Sequence, residues 1–362
     1  MKKISVNASR KYDVIMEHGM LSMTGGYIRD VLGKDPSSVK FCIVTDETVA
    51  RLYGGEDQAL QQSLRSTGYD VYKYVFPGGE ENKNISTIGS ILNYLADNRF
   101  SRSDMLLALG GGITGDVTGF AAASFLRGVE FVQIPTSLLA VVDSSVGGKT
   151  GVNLDAGKNL AGAFWQPSAV LFDPDVLGTL SEDLKLDGIA EAVKAGIIGD
   201  PDITGAIRNG MKIQDADFLT DIAAMAVEVK RRVVEEDERE SGVRQLLNLG
   251  HTPAHAIEKC SSYSIRHGHA VAIGMAIIAR AAAALGWTDR KCCDDMTEVL
   301  TRSGFSLDCP YSAAQLAEAA LGDKKVRGSM ITLVIPQDNG CTLKKVPTDR
   351  LEEIFSLGLQ QN

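Results

Sequence analysis

The sequence predicts an α/β domain followed by a mainly α-helical domain. Short apolar runs, typical of buried strands, recur in the first half of the chain at residues 41–45, 71–76, 105–109 and 131–134. Helical periodicity, as at residues 85–95, lies between such runs. This alternation favours a mostly parallel sheet with helices on its faces, whose ligands bind at the carboxyl ends of the strands.

Two further strand pairs are predicted near the ends of the chain. The first covers residues 4–6 and 12–17, and the second covers residues 331–335 and 342–346, before a short final helix. From about Ser181 to the second pair, helical periodicity is found at residues 183–198, 216–238, 246–259, 268–286, 290–303 and 312–321. We therefore predict two domains, 1–180 and 181–362.

Composition excludes several classes of protein. The net charge of −9 and the absence of a Lys/Arg-rich tract argue against a nucleic-acid partner. The N-terminal MKKISVNASRKYD lacks the apolar core of a signal peptide, and Arg280 interrupts the apolar run 270–287, which favours a core helix over a membrane span. The six cysteines show no CxxC spacing, which fits a reducing compartment. We expect a cytoplasmic protein of enzyme size.

A glycine-rich segment follows the third predicted strand. GGGITGD at 110–116 precedes a helix predicted at 117–125, and such glycines let the backbone approach a pyrophosphate at a helix N-terminus. A plain glycine turn is the alternative. Glu130, at the usual spacing for an acidic ribose partner, precedes its strand, so Asp46 at the end of the first run is the better candidate.

Polar residues follow the second predicted strand as well. In PGGEENK at 77–83, Glu80 and Lys83 could hold a polar edge of a cofactor, and an ordinary solvated turn is the alternative.

A second glycine-rich loop is predicted at 143–153. Its GKT sequence suggests a P-loop, but Asp143 occupies the position where that motif requires glycine. Lys149, and Lys158 with Asn159 a few residues later, suit a phosphate or carboxylate. Solvated lysines are the alternative.

Four of the five histidines lie within residues 248–269. His251 and His255 are four residues apart and share one helix face, and His267 and His269 follow. Neutral imidazole is the commonest protein ligand of zinc and similar metals. Histidines scattered over surface and core are the alternative.

Charged residues outside the histidine-rich segment could complete the site. Glu191, three residues before Lys194 and flanked by small side chains, could be the carboxylate of a metal site, although a surface salt pair is the alternative. Most charges between residues 230 and 252 are expected to be solvated. Lys230 and Arg244 are the exceptions that we retain. Arg244 lies just before the first histidine, where its guanidinium could grip a carboxylate with two hydrogen bonds.

Together these segments resemble the 3-dehydroquinate synthase family. The resemblance covers nearly the whole chain in one order, through VTDE, ALGGGITGDVTGF, FLRG, QIPTSLLAVVDSSVGGKTGVN, GKNLAGAF, GIAEAVK, DERESGVRQLLNLGHT, HAIE, HGHAVAIGM and GDKKVRG. It implies a Rossmann-like α/β N-terminal domain, a mainly α-helical C-terminal domain and an active site in the interdomain cleft.

The resemblance also implies roles for individual residues. The metal, usually zinc with cobalt as an alternative, is assigned to Glu191, His251 and His267. NAD is assigned to Asp46, Glu80, Lys83, Gly111, Gly112, Asp116, Thr136, Ser137, Lys149, Lys158 and Thr179. Catalytic roles fall to Lys149, Lys194, Arg244, Asn248 and His255. Further substrate contacts are implied for Arg127, Asp143, Lys158, Asn159, Lys230, Lys324 and Lys325.

The chain departs from the family pattern in three places. Ser137 replaces a threonine but keeps the hydroxyl group. Pro253-Ala254 replaces phenylalanine-glycine, and proline is tolerated in a first helical turn. His269 stands where the family usually has glutamate, which changes the charge beside the metal site.

The implied reaction converts 3-deoxy-D-arabino-heptulosonate 7-phosphate into 3-dehydroquinate and phosphate in the shikimate pathway. It proceeds through transient oxidation by NAD, elimination of phosphate, reduction and an intramolecular aldol closure. A homodimer is a further expectation from the family. The alternatives are a related sugar-phosphate cyclase, a metal-dependent polyol dehydrogenase and a non-catalytic nucleotide sensor.

Overall fold

The computed structural model describes residues 1–321 and 329–360, and the chain divides into two compact units, Met1–Leu180 and Ser181–Asn362. The first unit is α/β and the second is mainly helical, so the predicted fold class is confirmed. Lys324 and Lys325, the lysines predicted to reach the substrate, lie outside the described residues.

The first unit is built on a seven-stranded sheet. Its strands are β1 (Lys2–Asn7), β2 (Lys11–Met16), β3 (Lys40–Asp46), β4 (Asp70–Phe76), β5 (Met105–Gly110), β6 (Glu130–Pro135) and β9 (Ala169–Phe172). They lie in the order β1-β2-β9-β6-β5-β3-β4. The pair β1–β2 is antiparallel and the other neighbours are parallel. All residues of β5 are buried, as expected for a central parallel strand covered on both faces.

The helices of this unit connect the parallel strands. They are α1 (Met20–Asp30), α2 (Glu47–Tyr53), α3 (Ala59–Ser66), α4 (Ile85–Asp97) and α5 (Gly112–Ser124). Because β4 lies on one side of β3 and β5 on the other, the chain reverses direction across the sheet between β3 and β5. Such a switch point leaves a crevice at the carboxyl ends of the strands, where α/β proteins bind ligands.

Two local predictions for this unit are wrong. The helix predicted to begin at Val117 begins at Gly112, because the glycine run is itself helical from its third residue. The loop predicted at 143–153 is a helical turn, Ala140–Ser144, followed by an antiparallel hairpin of β7 (Lys149–Leu154) and β8 (Gly157–Phe164). Strand β9 was not predicted.

The second unit consists of eight helices and one hairpin in its described part. The helices are α6 (Glu182–Gly199), α7 (Pro201–Arg208), α8 (Ala216–Glu236), α9 (His251–Cys260), α10 (His267–Ala284), α11 (Arg290–Arg302), α12 (Ala313–Leu321) and α13 (Leu351–Leu359). The hairpin pairs β10 (Met330–Gln337) with β11 (Gly340–Pro347).

Helix α10 is the core helix of this unit. It packs against α6, α9, α11 and α13. Within the described residues it alone is long and apolar enough to cross a membrane, but 72% of it is buried inside the protein. This burial agrees with the predicted core helix.

Helix α9 begins later than the predicted residue 246. Gly250 precedes it with a left-handed φ of 76°, and a Cβ atom at this position would lie 2.7 Å from the backbone nitrogen of Met275 on α10. Only glycine fits both requirements. The helix therefore starts at His251, with its first turn close against α10.

Candidate functional site

The carboxyl end of β3 and the glycine run after β5 lie at the switch point of the sheet. Asp46 caps α2, and its Oδ1 accepts hydrogen bonds from the backbone nitrogens of Thr48 (2.9 Å) and Val49 (3.0 Å). The hydroxyl of Thr114, from the first turn of α5, donates to the Oδ2 of Asp46 at 3.4 Å. Asp46 and the glycine-rich start of α5 are therefore neighbours, as a nucleotide site at this edge requires.

Lys83 forms the centre of a polar cluster in the first unit. Its buried Nζ lies 2.5 Å from Oδ2 of Asp116 on α5 and 2.6 Å from Oδ1 of Asn159 on β8. Burial raises the pKa of Asp116, and the positive charge of Lys83 opposes this shift. The lysine thus joins residues that are far apart in sequence through one pair of charge-assisted hydrogen bonds.

Glu80 extends this cluster. The side-chain nitrogen of Asn153 donates to Oε1 of Glu80 at 2.8 Å, and Lys158 Nζ lies 3.8 Å from the same oxygen. The Oδ1 of Asn153 in turn accepts a hydrogen bond from the backbone nitrogen of Asn159 at 2.9 Å. We call these six residues the Lys83 cluster. Asn153 was missed in the sequence, although it lies on the GKTGVN segment that carries Lys149.

The hydroxyl residues predicted to bind NAD lie along the same sheet edge. Thr136 follows β6 and its backbone nitrogen donates to the carbonyl of Gly110 at 2.9 Å. A Cβ atom on Gly111 would lie 3.6 Å from the hydroxyl of Ser137. Thr179 bonds through its hydroxyl to Tyr53 of α2 at 2.6 Å.

The remaining predicted substrate residues of this unit are Asp143, Lys149 and Arg127. Asp143 lies in the helical turn after Ser137, and Lys149 is the exposed first residue of β7. Arg127 is exposed with a left-handed φ of 68°. Within the described part of the chain, no hydrogen bond or ion pair links Arg127 to the Lys83 cluster.

The second unit gathers the three predicted metal ligands. Suitable donor atoms of Glu191 on α6, His251 on α9 and His267 on α10 all lie within 4.8 Å of one another. Oε1 of Glu191 is 3.4 Å from Nε2 of His267 and 3.7 Å from Nε2 of His251. In a tetrahedral zinc site with bonds of about 2.1 Å, neighbouring ligand atoms lie about 3.4 Å apart. These residues, the histidine centre, therefore fit a divalent metal in chemistry and spacing.

The second nitrogen of each imidazole has a partner of its own. Nδ1 of His251 lies 3.2 Å from the carbonyl oxygen of Leu249, and Nδ1 of His267 lies 3.5 Å from Oε1 of Glu258. Metal-binding histidines are usually oriented in this way by an oxygen on the other ring nitrogen. Both Nε2 atoms are thereby directed toward Glu191.

The two histidines differ in charge. Burial, together with the nearby Lys194 ammonium, lowers the pKa of His251 to about 3, so this ring is neutral at neutral pH. Burial also acts to lower the pKa of His267, but hydrogen bonds to Glu191 and Glu258 outweigh it and raise the pKa to about 10. A cation entering the centre therefore competes with a proton on His267.

Further predicted substrate residues lie in the second unit, and two of them, Lys194 and His255, contact the histidine centre. The buried ammonium of Lys194 contacts Oε2 of Glu191, and His255 lies on the same face of α9 with its ring centroid 5.4 Å from that of His251. Arg244 is buried, and its backbone nitrogen donates to Asp237 at 3.1 Å. Lys230 is buried on α8.

Asn248 has a partner that the sequence did not suggest. Its side-chain nitrogen donates to Oε1 of Glu240 at 2.9 Å, and Glu240 has a left-handed φ of 60°. A backbone strained at a non-glycine residue often marks a functional position. Glu240 was overlooked because it lies in the charged run 235–240, whose side chains were expected to be solvated.

His269 lies apart from the ligands. Its Nδ1 is 3.2 Å from Oδ1 of Asp187 on α6, and its ring packs edge-on against Phe305. The same oxygen of Asp187 accepts the backbone nitrogen of Gly268 at 3.0 Å. His269, which replaces the family's usual glutamate, thus helps to attach the N-terminus of α10 to α6.

Comparisons with known proteins agree with this architecture. The family model for the 3-dehydroquinate synthase N-terminal region matches residues 73–186, and the model for the C-terminal region matches residues 188–326. Curated relatives named 3-dehydroquinate synthase from Streptococcus gordonii and Streptococcus sanguinis are 38% and 39% identical, and each alignment covers 98% of this chain and 99% of the relative.

Solved structures share the fold at lower identity. A 2-deoxy-scyllo-inosose synthase complexed with carbaglucose-6-phosphate, NAD+ and Co2+ has a TM-score of 0.86 at 22% identity and covers 98% of this chain and 99% of its own. ValA, the 2-epi-5-epi-valiolone synthase of Streptomyces hygroscopicus subsp. jinggangensis 5008 with NAD+ and Zn2+ bound, has a TM-score of 0.82 at 23% identity and covers 99% of both chains. On the strength of the two family models and the full-length relatives, this chain belongs to the 3-dehydroquinate synthase family.

Proposed function

We propose that the chain converts 3-deoxy-D-arabino-heptulosonate 7-phosphate into 3-dehydroquinate and phosphate, a step of the shikimate pathway toward chorismate and the aromatic amino acids. The observation that carries this proposal is the 38–39% identity, over nearly the full length, to proteins named for this activity. The chain is then a carbon–oxygen lyase that uses NAD and a divalent metal.

The first unit is proposed to bind NAD. The acceptor oxygens of Asp46 suit ribose hydroxyls, and the glycine-rich start of α5 suits the pyrophosphate, since backbone N–H groups at a helix N-terminus favour an anion. The Lys83 cluster offers both donors and acceptors beside that helix. The short contacts among Lys83, Asp116 and Asn159 support the inclusion of this cluster in the proposed NAD site.

The second unit is proposed to hold the metal through Glu191, His251 and His267. When bound, NAD takes up and returns a hydride, and the metal polarises substrate oxygens as a Lewis acid. The Lys194 ammonium balances the second oxygen of Glu191. His255 and Asn248, near this centre, position the substrate or transfer a proton.

Basic residues are proposed to bind the anionic ends of the substrate in a protein that is otherwise acidic. A guanidinium matches a carboxylate in planar, two-pronged geometry, which makes the buried Arg244 the candidate for the substrate carboxylate. Lys149, Lys158, Asn159, Arg127 and Lys230 remain the candidates for the phosphate and hydroxyl groups. A carboxylate requirement distinguishes this function from cyclases whose substrates lack that group.

The test is a phosphate-release assay on the purified protein. With NAD and Co2+ or Zn2+, the heptulosonate phosphate should release one phosphate per molecule, and omission of NAD or addition of EDTA should stop the release. A sugar phosphate without the carboxylate should be a poor substrate. Equal turnover of both compounds would point to a different sugar-phosphate cyclase.

We also propose that the protein is a cytoplasmic homodimer. The support is the family resemblance and the cysteine usage, since all six cysteines are free thiols. Size-exclusion chromatography with light scattering tests the dimer directly, and a monomer at micromolar concentration would contradict it.

A further inference from the structure

We infer that Glu258 is a positioning residue of the metal centre. Its carboxylate holds the Nδ1 side of His267 and thereby fixes the ring with Nε2 toward Glu191. This inference rests on the metal site proposed above, and it assigns a role to a residue outside the proposed ligand, catalytic and substrate-binding sets.

Helix α9 presents Glu258 on the same face as His251. The two residues are seven positions apart, with His255 between them at the fourth, so all three side chains follow one stripe of the helix. Glu258 is 5% exposed, and its Oε1 lies 3.5 Å from Nδ1 of His267. The imidazole of His267 is thus bracketed by two buried carboxylates, Glu258 at Nδ1 and Glu191 at Nε2.

The backbone around Glu258 is fixed as well. Its carbonyl oxygen accepts hydrogen bonds from the hydroxyl of Ser261 at 2.9 Å and from the backbone nitrogen of Tyr263 at 2.8 Å. Ser262 and Tyr263 have left-handed φ values of 49° and 62°, a conformation that costs free energy in residues other than glycine. This strained turn leads from α9 to α10, so Glu258 is anchored where the chain reverses toward His267.

The chemistry of an imidazole ligand explains why a carboxylate is useful here. The ring must offer a lone pair at Nε2, and a proton kept on Nδ1 must then have an acceptor. Glu258 provides that acceptor, as the carbonyl of Leu249 does for His251 at 3.2 Å. A negatively charged acceptor also makes the imidazole more basic and strengthens its bond to a cation.

The test measures the affinity for Co2+ alone by competition with a chelating dye at one fixed pH. Glu258→Gln should bind Co2+ roughly 10–100-fold more weakly than the wild-type protein, the usual effect of losing such a partner. Glu258→Asp keeps the charge but shortens the side chain, and we expect about tenfold weaker binding. Glu298→Gln is the matched control, because Glu298 forms its ion pairs with Arg208 and Arg302 near the surface of α11, and the Co2+ affinity of this variant should be unchanged.

A second readout separates positioning from packing. The rise in Tm on adding Co2+ should be smaller in Glu258→Gln than in the wild-type protein, since ligand stabilisation depends on the affinity of the folded state. A residue that only packs would lower Tm equally with and without Co2+, and this result would overturn the inference.

The outcomes are distinguishable. A wild-type protein that takes up no stoichiometric Co2+ would refute the proposed metal site itself. A wild-type protein that binds Co2+, with Glu258→Gln binding equally well, would refute only the role of Glu258. If Glu258→Asp binds Co2+ with wild-type affinity, a negative charge at residue 258 is sufficient, and this result would refute the positioning role. If Glu258→Gln does not fold, Glu258→Asp decides the question.

Discussion

The Lys83 cluster of the first unit and the histidine centre of the second unit balance their charges in different ways. In the first, a buried lysine lies 2.5 Å from the carboxylate of Asp116, so the protein supplies both signs of charge. In the second, Glu191 faces two imidazole nitrogens at 3.4 and 3.7 Å, and one of those rings must lose a proton when a cation enters. The first site is thus a closed network of protein charges, and the second is one that a cation completes.

Removal of a metal ligand should give the largest effect. His251→Ala should lose bound metal by elemental analysis and slow phosphate release by roughly 10³-fold, because one of three ligands and its preorganised geometry disappear. His269→Ala is the control, since His269 contacts Asp187 rather than the ligands, and it should keep stoichiometric metal. Full metal content in His251→Ala would show that the ligand assignment is wrong.

Removal of the central lysine should affect folding as well as cofactor binding. Lys83→Met leaves Asp116 buried without its positive partner and should lower the free energy of unfolding by about 3 kcal/mol. This value is at the lower end of the range for a broken buried ion pair, because the side chain of Asp116 is 19% exposed. Affinity for NAD should fall as well. Denaturant titration and NAD titration measure these two effects.

The matched control for Lys83 is Lys73 in the same unit. Lys73 donates to the carbonyl oxygen of Gly54 at 2.8 Å, so Lys73→Met should cost only about 1 kcal/mol. If both variants are equally stable, the Lys83 cluster does not have the charge balance described above.

The contact between α6 and α10 gives a prediction of intermediate size. A Cβ atom at Gly268 would lie 2.3 Å from Cα of Asp187, so Gly268→Ala must move the start of α10 and should cost about 2 kcal/mol. Metal affinity should fall too, because His267 is the adjacent residue. Gly26→Ala on α1, where no atom lies within 4 Å of the added Cβ, should be neutral or slightly stabilising in the same denaturation assay.

The pH dependence of metal binding should give the smallest of these effects, measured per pH unit. His267 has a pKa raised to about 10 in the metal-free protein, whereas His251, at about 3, carries no proton at neutral pH. Co2+ affinity should therefore rise about tenfold per pH unit between pH 7 and 8.5, which corresponds to about 1.4 kcal/mol per unit. About one proton should be released per ion.

The same shift has a consequence for the metal-free protein. A pKa raised above the ordinary value of 6.5 stabilises the folded state fully below pH 6.5, and this contribution is lost as the pH rises through about 10.

Calorimetry in buffers of different ionisation enthalpy measures the proton release that accompanies Co2+ binding. Co2+ binding that does not change with pH would contradict the assignment of the proton to His267.

The α/β sheet was readable from the sequence because its central strands are buried on both faces. Strands β3 and β5 therefore appear as continuous apolar runs, whereas β4 lies at the edge of the sheet and is mostly half-buried. The predicted positions of β3 to β6 differ from the observed ones by one residue or less. The hairpin β7–β8 was missed because KTGVNL and GKNLAGAF consist mostly of small and polar residues and carry few large apolar side chains. The start of α5 was misplaced because three successive glycines normally indicate a loop.

The histidine centre was only partly readable. The spacing of His251 and His255 identifies one face of a helix, but Glu191 lies on another helix sixty residues earlier. Its small neighbours indicated a possible metal carboxylate, and only the family resemblance assigned it to one site with His251 and His267. Glu258 was visible as the seventh residue after His251 and received no role. Its partner His267 follows a turn with two left-handed residues, Ser262 and Tyr263, that no local pattern reveals.

A redox-neutral elimination and cyclisation by this chain can be tested in a single turnover with NAD, Co2+ and the heptulosonate phosphate. Absorbance at 340 nm and inorganic phosphate should be followed together. We predict one phosphate per substrate, with an NADH signal that rises and returns to its starting value. An NADH signal that accumulates in proportion to substrate, without phosphate release, would contradict the account and indicate a metal-dependent polyol dehydrogenase.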